Sequence, residues 1–131
     1  MEKILIIDDN KLIRKTLKET LSKVGYTVIE AEDGESGLTF VRSERPDLVI
    51  TDFQMPGLNG FQFIRRAQRL LPDVPVLMIT AVPDLFSEDE IKDLPTLKAI
   101  VRKPFKWEEL AGHIERVLPA PSPPAFPSAG A

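Results

Sequence analysis

Asp8, Asp9, Asp52, Thr80 and Lys103 are the residues of this 131-residue chain whose types and placement can do chemistry together. Each stands at or just past the end of a short apolar run. Three carboxylates brought close repel at neutral pH, and one must take up a proton unless a cation neutralises them. A hard, oxygen-loving ion answers that need. Mg²⁺ keeps several waters and takes only one or two carboxylates plus phosphate oxygens, so it suits this sparse set better than Ca²⁺, which prefers a richer cage. The Thr80 hydroxyl, the Ala81 amide and the Lys103 ammonium are donors suited to phosphoryl oxygens and to charge developing in phosphoryl transfer. Asp52 is then the natural nucleophile. Each residue also has a plainer reading: Asp8-Asp9 as a helix cap, Asp52 as a turn residue, Thr80 as a loop hydroxyl, Lys103 as a solvated lysine before a proline. All four plain readings together would require four strand ends to acquire these chemistries in one order by chance.

The elements that must position these groups alternate regularly. Lys3–Ile7, Thr27–Ala31, Leu48–Ile50 running on to Asp52, Val74–Ile79 and Lys98–Arg102 are short β-type runs. Asn10 caps a helix of about four turns with Ile13, Leu17, Leu21 and Val24 on one side, stopped by Gly25. Asp33-Gly34 opens a second helix through Leu38, Phe40 and Val41, which must end before Pro46. Asn59 caps a third, carrying Phe61, Ile64, Ala67 and Leu71 and closed by Pro72. Val82–Phe86 is poor helix material, but Ser87-Glu88-Asp89-Glu90 is a capping box that starts a helix of about two turns, ended by Pro95. The last helix carries Leu110, Ile114, Val117 and Leu118. Five strands alternating with five helices imply right-handed crossovers and an α/β three-layer sandwich around a parallel sheet. All the strand ends then share one edge, where open α/β sheets bind ligands.

Composition bounds the reading. The hydrophobic fraction of 43% and charged fraction of 28% are ordinary for one domain with a core, and no internal repeat is evident. A net charge of −3 argues against direct nucleic-acid binding. No apolar run is long enough to cross a membrane and no leader pattern precedes the first strand, so the cytoplasm is the expected compartment. With no cysteine and one histidine, carboxylates are left as the obvious metal ligands. Residues 1–118 read as the domain; residues 119–131, uncharged and dense in proline, read as a flexible tail or linker rather than a proline-motif ligand. His113 reads as a surface residue, Trp107 as packing at the start of the last helix, and Arg65, Arg66 and Arg69 as a solvated helix face.

With Asp8-Asp9 after the first strand, Asp52 followed by Met55-Pro56-Gly57, then Thr80-Ala81 and Lys103-Pro104-Phe105, the chain resembles the receiver domain of two-component response regulators over residues 3 to 118. The resemblance implies a flavodoxin-like, doubly wound fold with strand order 2-1-3-4-5 and a cis peptide before Pro104. It implies a phosphoprotein rather than an enzyme, in which Asp52 is phosphorylated from the phosphohistidine of a sensor histidine kinase or phosphotransfer protein. Mg²⁺ would be held by Asp9, Asp52 and the Gln54 carbonyl, with Asp8 acting largely through water. Phosphorylation would draw Thr80 and Lys103 inward and switch binding to a downstream protein or a further output domain; a phosphorylation-dependent dimer is another assembly consistent with the family.

The chain also departs from the family. Ile100 stands where the family carries its switch aromatic, three residues before the lysine. The fourth helix is short. Val82 and Gln54 occupy positions that tune loss of the phosphoryl group, and apolar Val82 would not position an attacking water, which implies a persistent phosphorylated state. Ile100 and the short helix keep open an alternative, a phosphorylation-independent interaction module. A Mg²⁺-dependent phosphohydrolase is a weaker alternative, since Gln54 stands where a second acid would serve as general acid and base.

Overall fold

The described part of the molecule, residues 2–83 and 86–118 of a computed structural model, alternates strand and helix throughout. The order is β1 (Lys3–Ile7), α1 (Lys11–Val24), β2 (Thr27–Ala31), α2 (Gly34–Glu44), β3 (Leu48–Asp52), α3 (Gly60–Leu70), β4 (Val76–Thr80), α4 (Glu88–Ile91), β5 (Leu97–Arg102) and α5 (Trp107–Val117). The strands form one parallel sheet in the order β2-β1-β3-β4-β5, as the resemblance implied. The chain segment expected to form a tail, residues 119–131, lies outside the described residues.

Because side chains alternate along a strand, the sheet builds two cores. Leu5, Ile7, Val49 and Met78 face α2, α3 and the α4 region, where they meet Leu38, Val41, Phe63, Ile64 and Leu94. Ile4, Ile6, Leu48, Ile50 and Leu77 face α1 and α5, where they meet Leu17, Leu21, Leu110 and Ile114. β3 and β4 are buried at every position, which explains their unbroken apolar runs. Each fully buried Leu, Ile or Phe contributes about 1.5–3 kcal/mol.

Local signals set the helix bounds. Asn10 accepts from Ile13 N, and Gly25, at φ 112°, ends α1 in the left-handed region that glycine adopts without a Cβ penalty. Asp33 caps α2 through Ser36 N. Asn59 and Gln62 form a reciprocal capping box on α3, and Ser87 with Glu90 forms another on α4. Two elements differ from expectation by more than one residue. β4 begins at Val76 rather than Val74, with Val76 N donating to the Thr96 carbonyl. α4 is a single turn of 4 residues rather than two turns: after Ile91 the chain turns so that Leu94 N bonds the Ile91 carbonyl and Leu94 is buried. Burying Leu94 takes precedence over extending a helix with no buried residue of its own.

Candidate functional site

Register brings the acids together before any side chain is considered. Ile7 pairs with Thr51 across β1 and β3, so Asp8 and Asp52 leave the sheet side by side. Asp52 pairs with Ile79 across β3 and β4, which sets Thr80 one residue beyond it. Lys103 follows β5 and its N–H donates to the Thr80 carbonyl at 2.8 Å; the Lys103-Pro104 peptide is cis, as expected.

Carboxylate oxygens of Asp8, Asp9 and Asp52 all lie within 4.8 Å of one another, with Asp8 and Asp52 buried and Asp9 exposed. The Lys103 ammonium bridges the two buried acids, 3.3 Å from Asp8 Oδ2 and 3.3 Å from Asp52 Oδ2. Their other oxygens are held by backbone: Asn10 N donates to Asp8 Oδ1 and Phe53 N to Asp52 Oδ1, both at 2.8 Å. Four directed contacts thus fix two carboxylates in place. Burial raises the Asp52 pKa above the usual carboxylate value, the Asp8 charge adds to the rise, and the Lys103 ammonium and the Phe53 N–H oppose it. One ammonium among three carboxylates leaves the cluster net negative, and hard oxygen donors at this spacing fit a hard divalent cation.

Among the expected donors, Thr80 is 1% exposed and its Oγ1 accepts from Val82 N at 3.1 Å, which leaves its own hydrogen free to donate. Ala81 is exposed just beyond. Gln54 is exposed and shares with Asp9, Phe53, Met55, Pro56 and Asn59 an open depression of about 430 Å³. Ile100 is half-buried and packs against the core that contains Met78. Trp107 packs against the α1–α5 core, and His113 is half-buried with Arg116 Nη1 donating to its Nδ1 at 3.0 Å.

Two features at the site were not read from the sequence. Arg14 Nη1 donates to the Asp8 carbonyl at 2.6 Å while its Nε lies 3.5 Å from Glu30 Oε1, so it clamps the β1 end to β2. Its signal was a cation near the N-terminus of α1, where the helix dipole disfavours one, on the side of Leu17 and Leu21. Phe53, Phe61 and Phe86 form a triad with ring centroids 4.6–5.0 Å apart, tying the residue after Asp52 to the segment before α4. Three phenylalanines separated by 8 and 25 positions give no periodic signal.

Comparison with known proteins agrees with this geometry. A family model described as the response regulator receiver domain matches residues 4–115. The chain is 36% identical over 121 residues to sporulation initiation phosphotransferase F of Bacillus subtilis, covering 92% of this chain and 97% of that protein. It is 41% identical over 130 residues to the probable transcriptional regulator ycf27 of Guillardia theta, covering 97% of this chain but 49% of that protein, so it spans about half the length of such relatives. The solved Mg²⁺-BeF complex of the response regulator TrrA from Thermotoga maritima superposes with a TM-score of 0.81 at 32% identity, covering 90% of this chain and 100% of that one. With sheet order, acidic edge and sequence in agreement, the chain belongs to the response regulator receiver domain family.

Proposed function

We propose that Asp52 is the phosphoacceptor of this receiver domain and that Asp9, Asp52 and the Gln54 carbonyl hold Mg²⁺, with Asp8 acting through water. The observation that carries the reading is the three-carboxylate cluster bridged by the Lys103 ammonium at 3.3 Å from both buried acids. Mg²⁺, when bound, supplies charge neutralisation for carboxylates and phosphoryl oxygens alike. The chain's own residues do the rest. Phe53 N–H and Lys103 fix the Asp52 carboxylate, whose oxygen attacks the phosphorus of a phosphohistidine. The P–N bond breaks and its electron pair returns to the imidazole nitrogen of the donor. Lys103 and the Thr80 hydroxyl then hold the new phosphoryl oxygens, with the Ala81 N–H as a third donor.

Supporting roles belong to the same reading. Drawing the Thr80 hydroxyl inward pulls on Val82 through the 3.1 Å bond from its N–H, which carries the change out of the site toward α4. Half-buried Val82 offers no side-chain hydrogen bond to a hydrolytic water, which favours slow autodephosphorylation. The donor is a sensor histidine kinase or phosphotransfer protein. The output is binding to a downstream protein or to a further domain, in the cytoplasm.

Intact mass after incubation with Mg²⁺ and acetyl phosphate tests the reading. One added phosphoryl group that disappears in EDTA and in Asp52→Asn is expected. A folded protein that gains nothing, or gains a phosphoryl group in Asp52→Asn, overturns it.

A further inference from the structure

Away from the acidic edge, α2 and α3 lie side by side and leave a groove of about 350 Å³ between them. Its walls are Glu35, Leu38, Thr39 and Arg42 on α2, at i, i+3, i+4 and i+7, and Arg66, Arg69 and Leu70 on α3. One stripe of each helix therefore faces the groove.

We propose that this groove docks an acidic amphipathic helix of a partner protein. Charge complementarity carries the argument. The chain as a whole is net negative, yet this groove presents three guanidiniums against one carboxylate. Acids outnumber bases in the chain, so surface cations have partners available, and Arg65 next to the groove has one in Asp93 at 3.6 Å. Arg66 reaches Glu35 at 3.5 Å, an exposed pair of small worth. Arg42 and Arg69 have no ion pair or side-chain hydrogen bond among the described residues. The cation type matters as well. From residue 34 to residue 71 every cation is an arginine, at positions 42, 45, 65, 66 and 69, while lysines serve most of the remaining surface. Arginine is the cation that interfaces favour, because its planar fork takes a carboxylate bidentately.

The second ingredient is apolar. Leu70 is one of two exposed large hydrophobic residues among the described ones, and it lies at the groove beside the buried Leu38. Arginines around a leucine floor match a helix bearing carboxylates on either side of an apolar anchor. They do not match a phosphodiester backbone, which gains nothing from leucines and would meet Glu35.

The probe is a fluorescein-labelled synthetic amphipathic helix with glutamates at successive i, i+4 positions flanking a leucine stripe. The control helix has each glutamate replaced by glutamine. Binding by fluorescence anisotropy is expected to weaken as salt rises. It should fall about tenfold or more in Arg42→Glu/Arg69→Glu, where two charge-assisted pairs are lost. Lys23→Glu on the opposite face should leave it unchanged, and the Arg42→Glu/Arg69→Glu variant should regain affinity for a lysine version of the helix. Amide shifts should be confined to residues 34–45 and 60–71. Equal binding of the glutamine helix, an equal loss in Lys23→Glu, or shifts mapping elsewhere overturns the proposal. So does equally tight, equally arginine-dependent binding of duplex DNA, or self-association abolished by Arg69→Glu, which would name another occupant. Circular dichroism of the double variant separates lost docking from lost fold.

Discussion

Asp52 carries a cost that the fold sustains for the sake of the site. Its carboxyl is raised above the usual value, chiefly by burial and then by Asp8. The sign follows: a carboxyl whose folded pKa exceeds its unfolded value holds its proton more tightly in the fold, so its contribution to stability is present below the unfolded value of 3.8. That contribution is lost as pH rises through the folded value. In EDTA, Asp52→Asn should therefore be more stable than wild type at pH 7, and the gap should narrow as pH falls toward 4. Urea denaturation at a series of pH values reads this, and a wild type more stable than Asp52→Asn at pH 7 contradicts it. Arg14 makes the opposite kind of contribution. Its 2.6 Å bond to the Asp8 carbonyl and its approach to Glu30 need the reach and fork of a guanidinium. Arg14→Lys should weaken divalent-cation binding, measured by calorimetry, more than it lowers the urea midpoint. A midpoint loss with unchanged cation affinity would make Arg14 a strut of the fold only.

At the scale of elements, β3, α3 and the turn between them set the site's precision. Gly60 begins α3, and a Cβ there would lie 2.7 Å from Met78 Cε and 3.0 Å from both the Asp52 carbonyl oxygen and Phe53 Cα. Helix propensity favours Ala over Gly by about 1 kcal/mol. The clash with backbone at Asp52 and Phe53 opposes it, and overpacking of that kind costs about 1–3 kcal/mol. The clash should win: Gly60→Ala is expected to lower stability by about 1 kcal/mol and to slow phosphoacceptance further, because the backbone that yields is that of Asp52. A stabilised Gly60→Ala would show that α3 shifts freely. Such close approaches are invisible in a sequence, where Gly60 reads only as a residue after a cap. What was legible followed simple periods and caps. Asn10, Gly25, Asp33, Asn59 and the Ser87–Glu90 box all stand where the helices begin or end, and the apolar runs delivered Asp8, Asp52 and Thr80 to one edge. The misreadings came where tertiary packing decided. α4 has the signals of a helix start but gives way after one turn to bury Leu94. Arg14, adjacent to an apolar stripe, gives no sign in sequence of its partners Asp8 and Glu30, and the aromatic triad links three elements with no common spacing.

For the whole molecule, the parallel sheet concentrates negative charge at one edge, and Lys103 offsets only part of it. A divalent cation that binds there in the folded state alone must raise the unfolding free energy by RT ln(1 + [cation]/Kd), about 1.4 kcal/mol at tenfold excess over Kd. For a domain of this size that is a rise of several degrees in Tm. The increase should vanish in Asp52→Asn, which removes one carboxylate charge from the cluster. Lys103→Met separates the ammonium's two effects. Without the cation it leaves Asp8 and Asp52 facing each other unpaired, and stability should fall by about 1–3 kcal/mol in EDTA. With Mg²⁺, the loss of a positive charge 3.3 Å from two of its carboxylates should tighten binding, so the Tm rise per unit of Mg²⁺ should exceed that of wild type. Phosphoacceptance should nonetheless fall, since the phosphoryl oxygens lose a donor. Thermal melts across a Mg²⁺ series, read beside intact mass after acetyl phosphate, check both arms at once. If Lys103→Met bound Mg²⁺ no more tightly than wild type, Lys103 would not compete for the acidic edge, and the ion would bind with the bridge across Asp8 and Asp52 still in place.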